Sequence, residues 1–372
     1  MAIMAPTERC IRAMSYVYGD FDTLSENDCK TWTPAPGPTG SHGGRRLWTD
    51  AFGVINFTSL FLETADKRYL WLAERLAQTV HDVLGRSRDG LHRLPGASDK
   101  RPLLGGLRSG RAVEKEDGQV HRELTMWMFA LDRLGRASRD DTWQNLAVEL
   151  GEAVHPRFTV HKLSGGMRLV GKISGDMEDV VEVKSGELDA VLGWAVYRLT
   201  RRGAGGGKVL LREVDDYELI MGSEAGVVAG EEDLEWLGLG LWVSGLWKGE
   251  NWSEEMGRLG MERVGEVFKG VKEVLGTDDE VEDRAVRELG ACLGVRCWID
   301  GKTKKREEEE LLEASERVVG VWEKRIESAG MLKADVRGLV SVMVGAVVLS
   351  RAFQQHGVED GNQGSGDVIV EE

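Results

Sequence analysis

The chain has 372 residues, of which 41% are apolar and 30% charged, enough material for one large domain or two medium ones. Its net charge of −15 disfavours a phosphate backbone or an anionic membrane surface as a partner, because like charges repel and no basic stripe overrides the repulsion. We therefore expect a small-molecule partner, no nucleic acid and no membrane, and the oligomeric state stays open.

The N-terminal segment "MAIMAPTERC" lacks the uninterrupted apolar run of a secretory signal, because Pro6, Glu8 and Arg9 interrupt it. The four cysteines form no CxxC pair, which indicates scattered free thiols. The longest apolar stretch, residues 338–350, is shorter than the ~20 residues that a membrane-spanning helix needs, and it predicts a buried helix. Together these features favour a cytoplasmic location.

Helical segments recur along the chain, separated by glycine, proline or charged breaks. Their predicted starts lie near Leu47, Lys67, Val120, Asp140, Gly186, Val209, Asp233, Ser253, Asp283, Thr303 and Asp335. Every odd-numbered segment is apolar and rich in small residues, whereas the even-numbered ones carry a wide charged face suited to solvent. This alternation predicts an all-α toroid of helical hairpins, with apolar helices inside and amphipathic helices outside.

The predicted domain layout has three parts: an N-terminal extension (1–46), the barrel (47–356) and a disordered tail (357–372). Residues 19–46 and 86–118 resemble loops. A small β-hairpin is expected around Ser164-Gly165-Gly166, where "RFTVHKL" and "MRLVGKI" flank a turn. The glycines of the inner helices weaken helix propensity, and close packing between helices explains them most simply.

Four segments carry a resemblance to a known family: "RRLWTDAFGVINF", "LGGLRSGRAV", "DGQVHRELTMWMFALDRLGRAS" and "SGELDAVLGWAVYRL". They resemble the six-hairpin glycosidase-like superfamily of (α/α)6 barrels, over roughly residues 45–300 and most clearly in the first half. The resemblance implies parallel inner helices whose N-terminal ends surround one mouth that holds the site. It implies no single reaction, because the superfamily includes glycoside hydrolases, polysaccharide lyases, sugar epimerases and terpenoid-handling enzymes.

Such a mouth would bring together the polar residues at the starts of the inner helices. These are Asp50, His121, Glu123, Glu187, Asp189, Asp233 and Glu235. We predict Asp50, His121, Glu123 and Asp189 as the catalytic candidates. The alternative for each acid is a helix cap, since carboxylates at helix N-termini are stabilised by about 0.3 to 1 kcal/mol without any catalytic role.

Two sugar chemistries can be compared with this set of residues. A glycoside hydrolase would use Asp50 and Asp189 as its carboxylate pair, ~5 to 5.5 Å apart for retention or ~6.5 to 9.5 Å for inversion. Asp50 is not part of a paired-acid motif, however. A sugar epimerase would need two bases, usually histidines. Of the histidines, His121 is well placed, whereas His155 and His161 lie near the predicted hairpin.

The chain contains twelve tryptophans, several of them on predicted inner helices. Their indoles can stack on sugars, enclose a hydrocarbon skeleton or fill a core, and collectively they indicate a large apolar cavity. The predicted substrate-binding residues are Trp48, Trp127, Trp194 and Trp242. No motif supplies three or four convergent metal ligands and no cofactor signature is found, so we expect neither a metal nor a cofactor.

These features favour a cofactor-independent lyase or isomerase of the cyclase or pericyclase type, acting on a small apolar metabolite. It would hold a reactive conformer, while His121 or a protonated Asp50 donates a hydrogen bond to a carbonyl. As a hypothesis, the resemblance extends to norbornene-forming pericyclases of fungal specialised metabolism, in terpenoid pathways. The alternatives are an intracellular glycoside hydrolase and a barrel that binds a ligand without converting it.

Overall fold

The computed structural model describes residues 4–34, 45–111, 113–162, 165–186, 188–223, 234–270, 278–299, 306–328 and 330–355. The helices within these ranges are α1 (Pro6–Tyr18), α2 (Glu26–Thr31), α3 (Leu47–Thr64), α4 (Lys67–Val83), α5 (His121–Ser138), α6 (Asp141–Phe158), α7 (Asp189–Gly203), α8 (Leu211–Ser223), α9 (Leu234–Leu246), α10 (Asn251–Gly270), α11 (Asp278–Trp298), α12 (Arg306–Glu327) and α13 (Ala334–Val348).

Six of these helices form a closed inner ring. Contacts run from α3 to α5, α7, α9, α11 and α13, and α13 returns to α3. Helices α4, α6, α8, α10 and α12 each pack outside the inner helix that precedes them. The predicted all-α toroid is therefore confirmed. The predicted helix starts agree with the observed ones, with the largest difference between predicted Asp283 and observed Asp278.

The segment predicted as an N-terminal extension supplies the sixth outer helix. Helix α1 packs against α13, so the first and last parts of the toroid form one hairpin in space. Its buried face comprises Cys10, Ala13, Met14 and Tyr18, which follow helical spacing. The loop predicted over 19–46 is wrong in part, because α2 lies within it.

Five short strands accompany the helices: β1 (Gln119–Val120), β2 (Thr159–His161), β3 (Met167–Leu169), β4 (Lys172–Ile173) and β5 (Val180–Glu182). The predicted hairpin is confirmed, because β2 and β3 pair antiparallel with Val160 opposite Arg168. A three-stranded sheet in the order β1-β4-β5 was not expected. Strands of two or three residues are too short for an alternating pattern to reveal them.

Glycines allow the backbones of α9 and α11 to approach closely. A Cβ added to Gly238 would lie 2.4 Å from the carbonyl carbon of Gly290, and one added to Gly294 would lie 2.5 Å from the Gly238 oxygen. Real Cβ atoms do not come so near to a neighbouring backbone. Close packing thus explains these inner-helix glycines, despite their cost of about 1 kcal/mol each in helix propensity.

The inner helices begin at one end of the ring. At the start of α3, Arg46 forms ion pairs with Glu282 of α11 and with Asp335 of α13. At the start of α5, Arg122 pairs with Asp189 of α7. These contacts join the first turns of five inner helices around one mouth. The parallel arrangement that the resemblance implied is present for these five.

Helix α13 contains the apolar stretch predicted as a buried helix, and its residues from Leu339 to Val348 are buried. None of the helices in the described ranges combines the length and apolar character needed to cross a bilayer. All four cysteines are buried free thiols. The predicted disordered tail, 357–372, lies outside the described residues.

Candidate functional site in the lumen of the ring

The lumen of the inner ring contains a cavity of about 60 Å³ near the mouth. Its walls come from α3, α5, α9, α11, α13 and the turn that follows α13. The lining residues are Trp48, Phe52, Arg122, Met126, Gly238, Leu239, Trp242, Val286, Gly290, Leu293, Met343 and Phe353. Arg122 is the one charged side chain among them. As far as the described residues line it, the cavity is thus apolar apart from one guanidinium.

Aromatic side chains close the end of this cavity that lies away from the mouth. Phe353 packs against Phe52, Phe129 and Trp242, with ring centroids 5.5, 6.2 and 6.2 Å away. The indole N–H of Trp242 donates a hydrogen bond to the Phe353 carbonyl, with a donor–acceptor distance of 3.1 Å. Phe129 and Phe353 are fully buried. These rings form a rigid apolar floor.

Arg122 is held in place by a buried carboxylate. Its Nε donates to Oδ1 of Asp189 over 2.7 Å, while Oδ2 of Asp189 accepts from the Gly186 N–H over 2.8 Å. Burial alone would raise the Asp189 pKa, but the Arg122 charge and the hydrogen bonds to the carboxylate outweigh it and lower that pKa. Asp189 is therefore ionised at neutral pH. The predicted residue Asp189 lies at the edge of the cavity and acts on it through Arg122.

Asp50 occupies the opposite face of α3 from the cavity. Trp48 and Phe52 line the lumen, and a residue two positions from each is turned by about 200° on a helix. Asp50 is fully buried, where it accepts from Arg45 Nε over 3.0 Å and from the Tyr18 hydroxyl over 2.9 Å. These are contacts of an ionised acceptor. The structure thus contradicts the prediction that Asp50 donates a hydrogen bond in the lumen.

His121 faces the outer layer of helices. Its Nε2 shares a hydrogen bond with the Tyr217 hydroxyl over 2.7 Å, and its ring packs edge-on against Phe158. His155 packs against the other side of the same tyrosine, with ring centroids 4.9 Å apart. Burial lowers the His121 pKa to about 4 and also lowers that of His155, so both imidazoles are neutral at pH 7. Both histidines contact Tyr217, but neither lines the lumen cavity.

Glu123 is a buried carboxyl beside the mouth. Its Oε2 has no hydrogen-bond partner within the described part of the chain. Burial raises its pKa to about 7, although the charges of Arg111, Arg46 and Lys172 oppose the rise. Glu123 therefore exchanges a proton near neutral pH. It does not line the cavity, because Arg122 and Met126 occupy the lumen face of α5.

The four predicted tryptophans divide into two pairs. Trp48 and Trp242 line the cavity, and their role in substrate binding stays a prediction. Trp127 instead points to the outer layer, where its indole N–H donates to His81 Nε2 over 3.1 Å. The Trp194 indole N–H donates to Glu218 of α8, and its ring packs edge-on against Trp252, outside the ring of inner helices. Placing Trp127 and Trp194 in the lumen was therefore wrong.

Other predicted mouth residues cannot be placed in the same way. Glu187 and Asp233 lie outside the described residues, and for Glu235 the described part is the backbone alone. Elsewhere, a larger groove of about 1180 Å³ lies between α10 and α12, with many glutamates along it. It belongs to the outer layer. Over the described ranges, no three potential metal-ligating side chains gather.

Sequence reasoning missed Arg122 and Phe353, the two residues at opposite ends of the cavity. A signal for Arg122 existed: Arg122, Met126 and Phe129 follow the spacing of one helical face, and this face lines the lumen. Phe353 had no comparable signal. It enters the lumen from a short turn after α13, which sequence periodicity does not detect.

Two solved structures share this architecture. Cellobiose 2-epimerase from Spirochaeta thermophila is similar over 93% of this chain and 97% of its own, with a TM-score of 0.54 and 15% identity. A sugar epimerase from a ruminal bacterium is similar over 91% of this chain and 98% of its own, with a TM-score of 0.50 and 10% identity. At these identities the likeness shows the (α/α)6 fold alone. No protein-family model and no curated protein matches the chain.

Proposed function

We propose that this protein is an isomerase of the cyclase type, which acts on a small, largely apolar metabolite held in the lumen cavity. The observation that carries the proposal is the cavity itself, where Arg122 is the one charge among the described aromatic and aliphatic wall residues. An apolar pocket with few, well-placed polar groups is typical of a small-molecule site. A carbonyl or carboxylate oxygen of the metabolite would accept hydrogen bonds from Arg122.

In this proposal the site acts by position and charge. The aromatic walls select one folded conformer of the substrate and thereby remove part of the entropic barrier. Arg122 stabilises negative charge that develops on the carbonyl oxygen, and Asp189 fixes the direction of the guanidinium. Because apolar side chains surround the guanidinium on the cavity side, this stabilisation should be stronger than it would be in bulk water.

The fold is compatible with isomerisation. Both structural neighbours are epimerases, so (α/α)6 toroids carry isomerase chemistry in other proteins. A two-histidine epimerase mechanism has less support here, because His121 and His155 bond to Tyr217 and Asp216 away from the lumen. A hydrolase using Asp50 and Asp189 has less support too, because Asp50 faces α1 and Arg45.

The size of the cavity limits the substrate. About 60 Å³ is well below the ~300 to 1,000 Å³ of typical ligand pockets, so a terpenoid skeleton does not fit the arrangement described. Met126 and Met343 are the walls best able to adapt, because an unbranched thioether chain changes rotamer readily. We therefore propose a metabolite of few carbon atoms.

The test is to incubate the protein with a metabolite extract and follow all masses by liquid chromatography and mass spectrometry. An isomerase converts one compound into another of equal mass. In Arg122→Met the conversion should fall at least about tenfold, since a charge-assisted hydrogen bond contributes about 1.5 to 3 kcal/mol.

Arg198→Met is the matched control, because Arg198 also bonds a carboxylate, at 2.9 Å, but packs on Trp194 and Trp247 away from the lumen cavity. It should keep the wild-type rate. Two products whose masses add up to that of the substrate plus one water molecule would establish hydrolysis instead. Equal rates in Arg122→Met and wild type would remove Arg122 from the mechanism.

A further inference from the structure

The chain turns back into the ring after α13 and closes the end of the lumen opposite the mouth. The turn Arg351–Phe353 is anchored to three inner helices. The Ala352 N–H donates to Ser59 Oγ of α3 over 3.0 Å, and Trp242 of α9 donates to the Phe353 carbonyl. Gln354 Nε2 donates to the Arg296 carbonyl of α11 over 3.3 Å. These hydrogen bonds fix the turn as part of the lumen wall.

The side chain of Phe353 defines the depth of the cavity. Arg122 lies in the first turn of α5, and Phe129, against which Phe353 packs, lies seven residues further along. Seven helical residues span about 10 Å, so the distance from the guanidinium end to the aromatic floor is short. A ligand whose oxygen bonds Arg122 would extend its apolar part toward Phe353.

We propose that Phe353 determines the longest apolar tail that the lumen accepts. This inference rests on the proposed function, since it requires Arg122 to hold the polar end of the ligand. Each methylene that fits above the floor should raise affinity about fourfold, from ~0.8 kcal/mol of burial. Affinity should fall again once the tail reaches the Phe353 ring, because the packed rings behind it cannot yield without strain.

Removing the ring should deepen the chamber. Large-to-small changes at buried apolar positions leave cavities, and those on the order of 150 Å³ bind small hydrocarbons. Phe353→Ala should therefore accept longer tails than the wild type. Phe353→Leu removes less volume and should shift the limit by less, and it keeps a buried aliphatic contact should the alanine variant fail to fold.

The experiment uses straight-chain carboxylates from acetate to octanoate as probes, titrated into the full chain by calorimetry. Wild-type affinity should peak at a short tail. The peak should move by at least two carbons in Phe353→Ala and by fewer in Phe353→Leu. Phe158→Leu is the control, because Phe158 is equally buried but packs against His121 outside the lumen. Its peak should coincide with that of the wild type.

Two failures can be told apart. If acids bind the wild type and lose at least tenfold in affinity in Arg122→Met, yet the folded Phe353 variants keep the wild-type peak, the role of Phe353 is wrong and the lumen site stands. If no acid binds the wild type, or Arg122→Met binds all of them equally well, the proposed function is wrong and this inference falls with it.

Discussion

Two arginine–aspartate pairs lie at the starts of neighbouring inner helices, and their surroundings differ. Arg45 and Asp50 are buried together between α3 and α1, with side-chain exposures of 6% and 0%. Arg122 and Asp189 lie beside the lumen, where the arginine side chain remains 27% exposed. The same chemistry therefore supports packing in one place and presents a cation to a cavity in the other.

The comparison shows that the face of the helix decides the role of a charged residue. Asp50 belongs to the most apolar stretch of α3, which made it the obvious catalytic candidate in the sequence. Its face, however, packs on α1, where Tyr18 completes its hydrogen bonds. Arg122 stands next to two titratable residues in the sequence, and it is the one whose side chain lines the lumen.

The largest effect should come from breaking the buried pair. Asp50→Ala leaves the Arg45 charge in a buried position without this carboxylate, and removal of one member of a buried pair costs about 3 to 5 kcal/mol. Urea denaturation followed by circular dichroism measures the change in the free energy of unfolding. A loss below about 1 kcal/mol would mean that the pair is as weak as an exposed one.

Glu123 is a third acid at this end of the ring, and it should make stability depend on pH. Its pKa is raised to about 7 in the folded protein, so the folded state binds more protons than the unfolded state between about pH 4.5 and 7. The contribution of Glu123 to the free energy of unfolding is therefore largest below pH 4.5 and is lost as the pH rises through 7. The total is on the order of 3 kcal/mol.

Glu123→Gln should remove that dependence. The difference in unfolding free energy between wild type and variant, measured from pH 5 to 9, isolates Glu123 from the histidines. His121 contributes with the opposite sign, because its lowered pKa makes stability rise with pH between about 4 and 6.5. A constant difference over this range would show that Glu123 does not titrate there.

Asp189→Asn should weaken ligand binding and should reduce stability less than Asp50→Ala does. The variant keeps the shape of the side chain but loses the charge that orients Arg122, so we expect about 1 to 2 kcal/mol of destabilisation, less than for Asp50→Ala. Butanoate affinity should fall about tenfold. Calorimetric titration and urea denaturation of the two variants check this order. Equal losses of stability in Asp50→Ala and Asp189→Asn would contradict the view that only the Arg45–Asp50 pair mainly supports packing.

Gly186→Ala should have the smallest effect on stability. A Cβ at this position would lie 2.2 Å from Nη2 of Arg122 and 3.0 Å from Oδ1 of Asp189. The flexible end of the arginine can move aside, so the free energy of unfolding should change by less than about 1 kcal/mol. Butanoate affinity should nevertheless fall several-fold, because the guanidinium is displaced. Unchanged affinity together with unchanged stability would show that the position of Arg122 tolerates movement.

Much of the fold could be predicted from the sequence because inner and outer helices differ in composition. The starts of α3 and α4 agree to the residue, at Leu47 and Lys67. Helix α1 escaped prediction although Cys10, Met14 and Tyr18 follow helical spacing, since it belongs to a hairpin whose other helix is more than 300 residues away. The local sequence shows the helical spacing of α1 but does not show the distant helix against which it packs.

The site was less predictable for a physical reason. From Leu47 to Leu60 nearly every residue of α3 is buried, so the helix has no polar face that would show which side looks into the lumen. Trp48 lines the cavity and Asp50 does not, although the two are neighbours on one turn. Only the packing of α1 against this helix separates them.

The most direct test of the lumen site is fluorine NMR of the protein labelled with 5-fluorotryptophan, during titration with butanoate. Single Trp→Phe variants assign the resonances. Binding beside Arg122 should shift the signals of Trp48 and Trp242, which line the cavity, and leave those of Trp127 and Trp194 unchanged. Arg122→Met should abolish the shifts at the same butanoate concentration. Shifts confined to Trp127 or Trp194, or persisting undiminished in Arg122→Met, would contradict a ligand site in the lumen.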